Sequence, residues 1–158
     1  MKILVLGQDG HGKTTFGNIL GDITKLIIKD SSWFVMEKAV WPAMKHLYSS
    51  MQECFEDRVN NRAIWKALIA YYNTPDKARL VKELLEVADV YVGMRCPLEY
   101  EASKHLFDIV YFCDATERTG YSTGSLTIPF NPDEMNKVDT NGSKSRLVAY
   151  MKKLYGVS

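Results

Sequence analysis

The sequence predicts an α/β domain with a mostly parallel sheet, and three observations support this prediction. Short apolar runs alternate with longer segments in which apolar residues recur every three or four positions, as in buried strands and amphipathic helices. A glycine-rich run follows the first apolar stretch and precedes a helical pattern. The chain has 158 residues, the usual size of one compact domain, so we expect residues 1–158 to form a single unit.

Five short stretches are candidate strands because each is apolar and is closed by glycine or a polar residue. They are residues 2–6, 33–36, 90–92, 109–113 and 138–140. Helical periodicity fills the intervals, most clearly at residues 59–72, 80–88 and 143–154. Right-handed crossovers between such strands place helices on both faces of the sheet, and ligands bind at the carboxyl ends of the strands.

Composition and charge exclude several classes of protein. The 20 lysines and arginines nearly balance the 19 aspartates and glutamates, so no overall positive field exists that would bind nucleic acid non-specifically. The three cysteines are widely spaced, which disfavours a disulfide framework or a zinc site. No apolar run is long enough to span a bilayer, and the N-terminus lacks a signal-peptide pattern. We therefore expect a cytoplasmic protein without nucleic-acid or membrane partners.

Residues 7–14 carry the most specific motif of the chain. They read GQDGHGKT and match the phosphate-binding motif G-x-x-x-x-G-K-[ST] in full, between a predicted strand and a predicted helix. Glycines allow successive backbone N–H groups to surround a phosphate, and the following helix N-terminus is electropositive. Lys13 can reach the β- and γ-phosphates of ATP, and the Thr14 hydroxyl can ligate Mg²⁺. The predicted ATP contacts in this P-loop are Gly10, His11, Gly12, Lys13, Thr14 and Thr15.

Other candidate residues follow the predicted strands and so lie at the same edge of the sheet. Arg95 follows the third strand and is either a clamp for a substrate phosphate or a surface arginine. Glu37 and Asp114 follow the second and fourth strands, and each could hold Mg²⁺-bound water or cap a loop. Asp9 is acidic within an anion-binding loop, an arrangement that suits contact with a group other than phosphate, such as a sugar hydroxyl.

A basic stripe and a long loop lead to two further predictions. Arg58, Arg62 and Lys66 recur every four residues along one helix, with Trp65 beside them. This stripe is either a solvated face or the cover of a nucleotide cleft. Residues 115–132 are rich in Ser, Thr, Gly and Pro, so they form either a mobile lid or a surface loop docked through its alternating apolar residues.

Four parts of the chain together carry a family resemblance: the P-loop, FEDRVNNRAIWKALIAYYN, DVYVGMRCPLEYEASKHLFDIVYFCDAT and VDTNGS. They resemble the deoxynucleoside monophosphate kinases of tailed bacteriophages, which are P-loop kinases of the nucleoside monophosphate (NMP) kinase type. The similarity extends over nearly the whole chain. The R-x-x-W helix, the G-M-R turn and the N-G pair before the last helix narrow it beyond the P-loop superfamily.

The resemblance implies a three-layer P-loop NTPase fold of the NMP-kinase type, in which a five-stranded parallel sheet lies between helices. It implies an NMP-binding helical region at about residues 37–88 and a lid at about 115–132. The lid arginine Arg118 and the pair Asn141–Gly142 would contact ATP outside the P-loop. The acceptor site would comprise Asp9, Glu37, Arg62, Trp65 and Arg95, with Asp9 near the sugar 3′-hydroxyl as in the similar P-loop of thymidylate kinases.

The resulting expectation is an enzyme that uses ATP and Mg²⁺ to phosphorylate a (deoxy)nucleoside monophosphate to the diphosphate. Lys13, Arg95 and Arg118 are the expected catalytic residues, and Thr14 is the expected Mg²⁺ ligand. Alternatives are a P-loop kinase for another small acceptor or a polynucleotide 5′-end, and a nucleotide-binding regulatory protein that performs no transfer. A phage-encoded enzyme would work in the host cytoplasm, as a monomer or homodimer.

Overall fold

The computed structural model describes residues 1–119 and 126–158 and contains an all-parallel sheet. Its 5 strands in this part of the chain are ordered β2-β3-β1-β4-β5. They are β1 (Ile3–Gly7), β2 (Ile28–Lys29), β3 (Val90–Val92), β4 (Ile109–Asp114) and β5 (Asn136–Asp139). This arrangement confirms the predicted five-stranded parallel α/β fold.

The helices connect the strands and pack on both faces of the sheet, and several of them lie in succession between the second and third strands. They are α1 (Lys13–Thr24), α2 (Ser31–Val35), α3 (Trp41–Met44), α4 (Met51–Glu56), α5 (Arg62–Tyr72), α6 (Arg79–Val87), α7 (Pro97–Ser103), α8 (Thr116–Thr119) and α9 (Lys144–Leu154). A π-helical turn at Met36–Val40 joins α2 to α3, and short 3₁₀ turns extend several of the other helices. Ser143 caps α9 by accepting a hydrogen bond from the Arg146 amide, as its position predicted.

Strand β1 separates two hydrophobic clusters because its side chains alternate between the faces of the sheet. Leu4 and Leu6 join one cluster with residues of α6 and α7, whereas Ile3 and Val5 join the other with residues of α1 and α9. All four side chains are fully buried. The fold therefore has three layers, with helices, sheet and helices in succession.

The predicted strand at residues 33–36 is wrong, because this segment is helical. Asp30 caps α2 by accepting hydrogen bonds from the amides of Ser32 (2.9 Å) and Trp33 (3.2 Å). The second strand is instead the two-residue β2, which pairs with β3. A four-residue apolar run is compatible with either a strand or a buried helical turn, and here the N-cap favours the helix.

The helical region between β2 and β3 has a small core of its own. Its buried residues are Met36, Ala39, Val40, Met44, Cys54 and Trp65. Aromatic rings surround this core: Trp33 and Phe55 lie 5.2 Å apart between centroids, and Phe55 and Trp65 lie 6.4 Å apart. The cis peptide bond between Thr74 and Pro75 lies after α5, where the sequence predicts a helix end.

Parallel register brings the carboxyl ends of the strands together at one edge. Gly7 of β1 is level with Cys113 of β4, Val5 is level with Val92 of β3, and Asp114 is level with Asp139 of β5. The turns that follow β1, β3, β4 and β5 therefore meet at the same edge, as the predicted fold requires.

Glu99 gives a test of the packing between α7 and the sheet. Its side chain is 7% exposed and accepts a hydrogen bond from the Tyr91 hydroxyl (3.2 Å). Burial raises the pKa of Glu99 to about 7. The folded protein therefore holds this proton more tightly than the unfolded chain does, so the associated stability is complete below about pH 4.3 and is lost as the pH rises through about 7.

We expect Glu99→Gln to gain stability relative to the wild type by up to about 3 kcal/mol between pH 4.5 and pH 8. Urea unfolding of both proteins across this range measures the difference. Glu86→Gln, at an exposed position on α6, is the matched control and its difference should stay flat. A flat difference for Glu99→Gln as well would contradict the burial of this carboxyl.

Candidate active site

The P-loop connects the end of β1 to the start of α1 and has the geometry of an anion cradle. Gly10 and Gly12 have φ angles of 79° and 80°, a left-handed conformation that glycine adopts without strain. A Cβ atom at Gly12 would lie 3.4 Å from the Cβ of Thr140, whereas one at Gly10 would have no described atom within 4 Å. The loop is therefore backed by the residue that directly follows β5, and Gly10 is exposed among the described residues.

Lys13 lies at the N-terminus of α1 and its side chain turns back over the loop. Its amino group donates hydrogen bonds to the carbonyl oxygens of Gly7 (2.7 Å) and Gln8 (3.0 Å). Burial lowers the pKa of Lys13, and the nearby Asp9 carboxylate at 3.7 Å acts in the opposite direction. The ammonium group is thus held in a partly desolvated position, where an added phosphate would interact with it strongly.

Asp9 brings the P-loop and the turn after β3 into contact. Its carboxylate accepts a hydrogen bond from the Arg95 guanidinium at 2.8 Å, in addition to its pairing with Lys13. We call Asp9, Lys13 and Arg95 the Asp9 cluster. The sequence predicted that Arg95 and the P-loop share one edge of the sheet, and the structure brings them together.

Arg118 approaches the P-loop from the other side, on the short helix α8. Its guanidinium donates to the Gly10 carbonyl (2.8 Å), and its backbone amide donates to the side-chain oxygen of Asn141 (2.8 Å). Asn141 follows β5, and the exposed Gly142 comes next in the chain. Arg118 and Asn141, which the resemblance placed on the ATP side, therefore lie together beside the loop, and the contact of Gly142 with ATP stays a prediction.

Asp114 caps a turn. Its carboxylate accepts hydrogen bonds from the Thr116 amide (2.9 Å) and hydroxyl (2.5 Å), which hold the pKa of Asp114 below its ordinary value. Lys137 lies 3.4 Å from the other carboxylate oxygen. Of the two roles considered for this residue, the structure shows the loop cap.

The acceptor residues on the helical region are spread more widely. Glu37 lies in the π-helical turn, so the reasoning that placed it after a strand is wrong, and its contact with an acceptor stays a prediction. Arg62 is exposed at the start of α5, and no hydrogen bond or ion pair joins it to the P-loop within residues 1–119 and 126–158. The Arg58 guanidinium carbon lies 4.0 Å from the centroid of the Phe55 ring, and the guanidinium donates a hydrogen bond to the Phe55 carbonyl. These contacts of Arg58 are therefore with its own segment of the chain.

Trp65 is 8% exposed, and its indole Nε1 has no hydrogen-bond partner in the described part of the chain. A buried N–H without a partner destabilises the folded state by about 1–3 kcal/mol. A ligand or water molecule that accepts a hydrogen bond from this donor would remove that cost. Trp65 belongs to a buried core cluster of the helical region, and its predicted membership of the acceptor site stays a prediction with which this donor is compatible.

Two P-loop residues have contacts that the sequence did not predict. The Gln8 side-chain amide exchanges two hydrogen bonds with the backbone of Leu126, at 3.1 and 3.0 Å. His11 is 2% exposed and bonds to Ala115, Thr119 and Thr140 through its ring and carbonyl. Each contact spans more than a hundred positions, so no local sequence pattern signals it.

Residues 120–125 of the predicted lid at 115–132 lie outside the described residues. Beyond them, Leu126 and Ile128 are buried in the core cluster that contains α6 and α7, and Phe130 packs against Phe112 at 5.3 Å. This is the docking of alternating apolar residues that the sequence offered as an alternative for the loop.

The Asp9 cluster yields a test on nucleotide affinity. A phosphate entering the loop must compete with the Asp9 carboxylate for the charges of Lys13 and Arg95. Exposed ion pairs contribute about 0.2–1 kcal/mol, so we expect Asp9→Asn to bind ATP roughly two- to fivefold more tightly at low salt. Isothermal titration measures this, with Asp22→Asn on the exposed face of α1 as the charge-matched control. Weaker ATP binding by Asp9→Asn alone would contradict the competition.

Comparisons with known proteins agree with this architecture. No protein-family model matches the chain, and no protein of curated function matches it in sequence. Among solved structures, a sugar kinase from Janibacter sp. has a TM-score of 0.52 at 16% identity, covering 99% of this chain and 95% of its own. A gluconokinase from Sinorhizobium meliloti has a TM-score of 0.52 at 14% identity, covering 98% and 95%. Together with the P-loop, this likeness establishes an α/β P-loop fold of the kind found in these kinases.

Proposed function

We propose that this protein is a kinase that transfers the γ-phosphoryl group of ATP to a (deoxy)nucleoside monophosphate. The observation that carries the proposal is the Asp9 cluster. Arg95 from the turn after β3 and Lys13 from the P-loop lie 2.8 and 3.7 Å from the same carboxylate oxygen. Two cations from different segments thus converge on one anion position, the arrangement needed to hold a donor and an acceptor phosphate side by side.

The donor side fits the phosphates of ATP. The exposed Gly10 with its left-handed backbone, the positive N-terminus of α1 and the Lys13 ammonium together favour an anion. Thr14 is exposed in the first turn of α1, where its hydroxyl is available to a divalent cation bound with ATP. Mg²⁺, when bound, neutralises charge on the phosphates. Arg118, bonded to the Gly10 carbonyl, is close enough to exchange that contact for a phosphate oxygen.

The transfer needs no proton acceptor on the protein when the attacking group is a phosphate oxygen, because that oxygen is already ionised. The residues then act by alignment and charge neutralisation. Lys13 stabilises the transferring group, Arg95 holds the acceptor phosphate, and Arg118 adds positive charge over the donor. None of these three roles requires a group with an unusual proton affinity.

The helical region supports an acceptor with a planar base. Trp33, Phe55 and Trp65 form a chain of aromatic contacts, and the orphan Nε1–H of Trp65 is a donor suited to a base carbonyl. Arg62, one turn from Trp65 on the exposed face of α5, would supply a second charge for the acceptor phosphate. Glu37 and Asp9 complete the proposed acceptor set, with Asp9 directed to the sugar.

A second candidate acceptor is a small polyol or sugar acid, because the two structural neighbours are a sugar kinase and a gluconokinase. A hydroxyl acceptor must lose a proton during transfer, so such an enzyme needs a carboxylate in the site, and Asp9 is placed for that role. Coupled detection of ADP with a panel of ribo- and deoxynucleoside monophosphates, and with gluconate and common sugars, separates the two. Turnover with a sugar and with no monophosphate would overturn the nucleotide proposal.

Lys13→Ala should reduce phosphoryl transfer about 10²–10³-fold, because it removes a charge aimed at the transferring group. Steady-state rates with the best acceptor measure the loss, and a melting curve checks that the fold persists. Lys152→Ala on the exposed face of α9 is the control and should keep the wild-type rate. Activity near the wild-type value in Lys13→Ala would end the kinase proposal.

Arg95→Ala should weaken acceptor use far more than ATP binding. A charge-assisted contact with a phosphate contributes about 1.5–3 kcal/mol, so the acceptor KM should rise roughly tenfold to hundredfold. Arg95→Lys keeps the charge but loses the paired donors, and it should give an intermediate value. Separate titrations of ATP and acceptor decide the matter, and an equal loss of both would assign Arg95 to the donor side.

A further inference from the structure

We infer that His11 is a positioning residue that fixes the place of Arg118 over the P-loop through both nitrogens of its ring. The inference rests on the proposed function in one respect, the contact of Arg118 with ATP. The P-loop motif leaves position 11 unspecified, so the motif does not explain why a histidine stands there. The structure supplies the reason in the contacts of the ring.

The His11 ring is buried and its tautomer is determined by its neighbours. The side chain lies beneath the loop with only 2% of the residue exposed. The Ala115 amide donates to Nδ1 at 3.1 Å, so Nδ1 carries no proton and the proton of the neutral ring is on Nε2. Nε2 lies 3.2 Å from the Thr119 hydroxyl oxygen and donates to it. The Thr119 hydroxyl in turn donates to the Ala115 carbonyl at 3.1 Å.

These bonds hold both ends of α8. Ala115 immediately precedes the helix and Thr119 is its last residue, so one ring spans the whole of this four-residue helix. A helix so short has no stability of its own and depends on tertiary contacts. Arg118 lies on α8, so the position of its backbone depends on His11 as well as on Asn141, which accepts a hydrogen bond from the Arg118 amide.

Arg118 and His11 both make further contacts that involve the P-loop. Arg118 donates to the carbonyl of Gly10, the residue directly before His11 in the chain. The His11 carbonyl also accepts a hydrogen bond from the Thr140 hydroxyl at 2.7 Å, which ties the loop to the end of β5. The histidine thus joins the P-loop, α8 and the end of β5, and these contacts set the position of Arg118 relative to the loop.

Substitutions of His11 separate the two ring contacts. In His11→Asn, the amide oxygen takes the place of Nδ1 as acceptor for the Ala115 amide, and the contact with Thr119 is lost. His11→Gln reaches toward Thr119 as a donor but leaves the Ala115 amide without its acceptor. His11→Ala removes both contacts. A melting curve for each variant establishes that it is folded before any comparison.

Hydrogen exchange at the Ala115 amide tests the geometry without any activity. We expect slow exchange in the wild type and in His11→Asn, and exchange at least about tenfold faster in His11→Gln and His11→Ala. Exchange at the Leu20 amide in α1, away from the contact, serves as the internal reference. Equal protection of Ala115 in all four proteins would overturn the inference, because the ring would then not hold α8.

A double-mutant cycle on ATP affinity tests the action through Arg118. We expect Arg118→Ala to weaken ATP binding about tenfold and His11→Ala about fivefold, with the double variant within about twofold of Arg118→Ala. Fully additive losses would overturn the inference, because His11 would then act independently of Arg118. The cycle measures ATP binding and not phosphoryl transfer. A wild type that binds ATP but phosphorylates no acceptor would contradict the proposed function, whereas coupling between His11 and Arg118 would still support this role of His11.

Discussion

The parallel pairing of β1 with β3 on one side and β4 on the other determines where the other parts of the candidate site lie. Because β1 is fully buried between two helical layers, it can only lie in the middle of the sheet, and its register fixes where neighbouring strands end. The turns that carry Asp9, Arg95 and Arg118 are thereby brought to one edge. Strand register thus brings segments separated by about a hundred positions close to one another.

The charges at this edge are balanced by the protein itself. Lys13 donates to two backbone carbonyls, Arg95 pairs with Asp9, and Arg118 donates to the Gly10 carbonyl. Each partner is an oxygen, and a phosphate presents the same kind of acceptor with more negative charge. Nucleotide binding would therefore exchange existing contacts for stronger ones without requiring the cations to be assembled first. This preorganisation is what electrostatic stabilisation of a transferring phosphoryl group requires.

The strands that were predicted correctly are those with the clearest physical signature. β1, β3 and β4 are apolar runs closed by glycine or a carboxylate, and the whole of β1 lies in the core. The second strand was missed because β2 has only two residues and no pattern can develop over that length. The neighbouring run at 33–36 is equally apolar, but Asp30 initiates a helix there, and its apolar side chains fill the cores on either side of that helix. Arg95 was identified from its position after a strand, whereas Glu37 was placed at the same edge by this argument applied to a strand that does not exist.

The P-loop motif, the parallel sheet and the edge at which the P-loop meets Arg95 could be predicted from the sequence, because they follow from local patterns of glycine, charge and apolar spacing. The contacts that support the P-loop could not be predicted in this way. Three of these contacts join distant segments: the ion pair of Asp9 with Arg95, the hydrogen bonds of Gln8 with Leu126, and the hydrogen bond of the buried His11 ring with Ala115. A polar side chain in a loop has many possible partners, and packing of the whole chain selects one. That selection depends on the three-dimensional positions of backbone amides and carbonyls, which no spacing of residue types along the chain encodes.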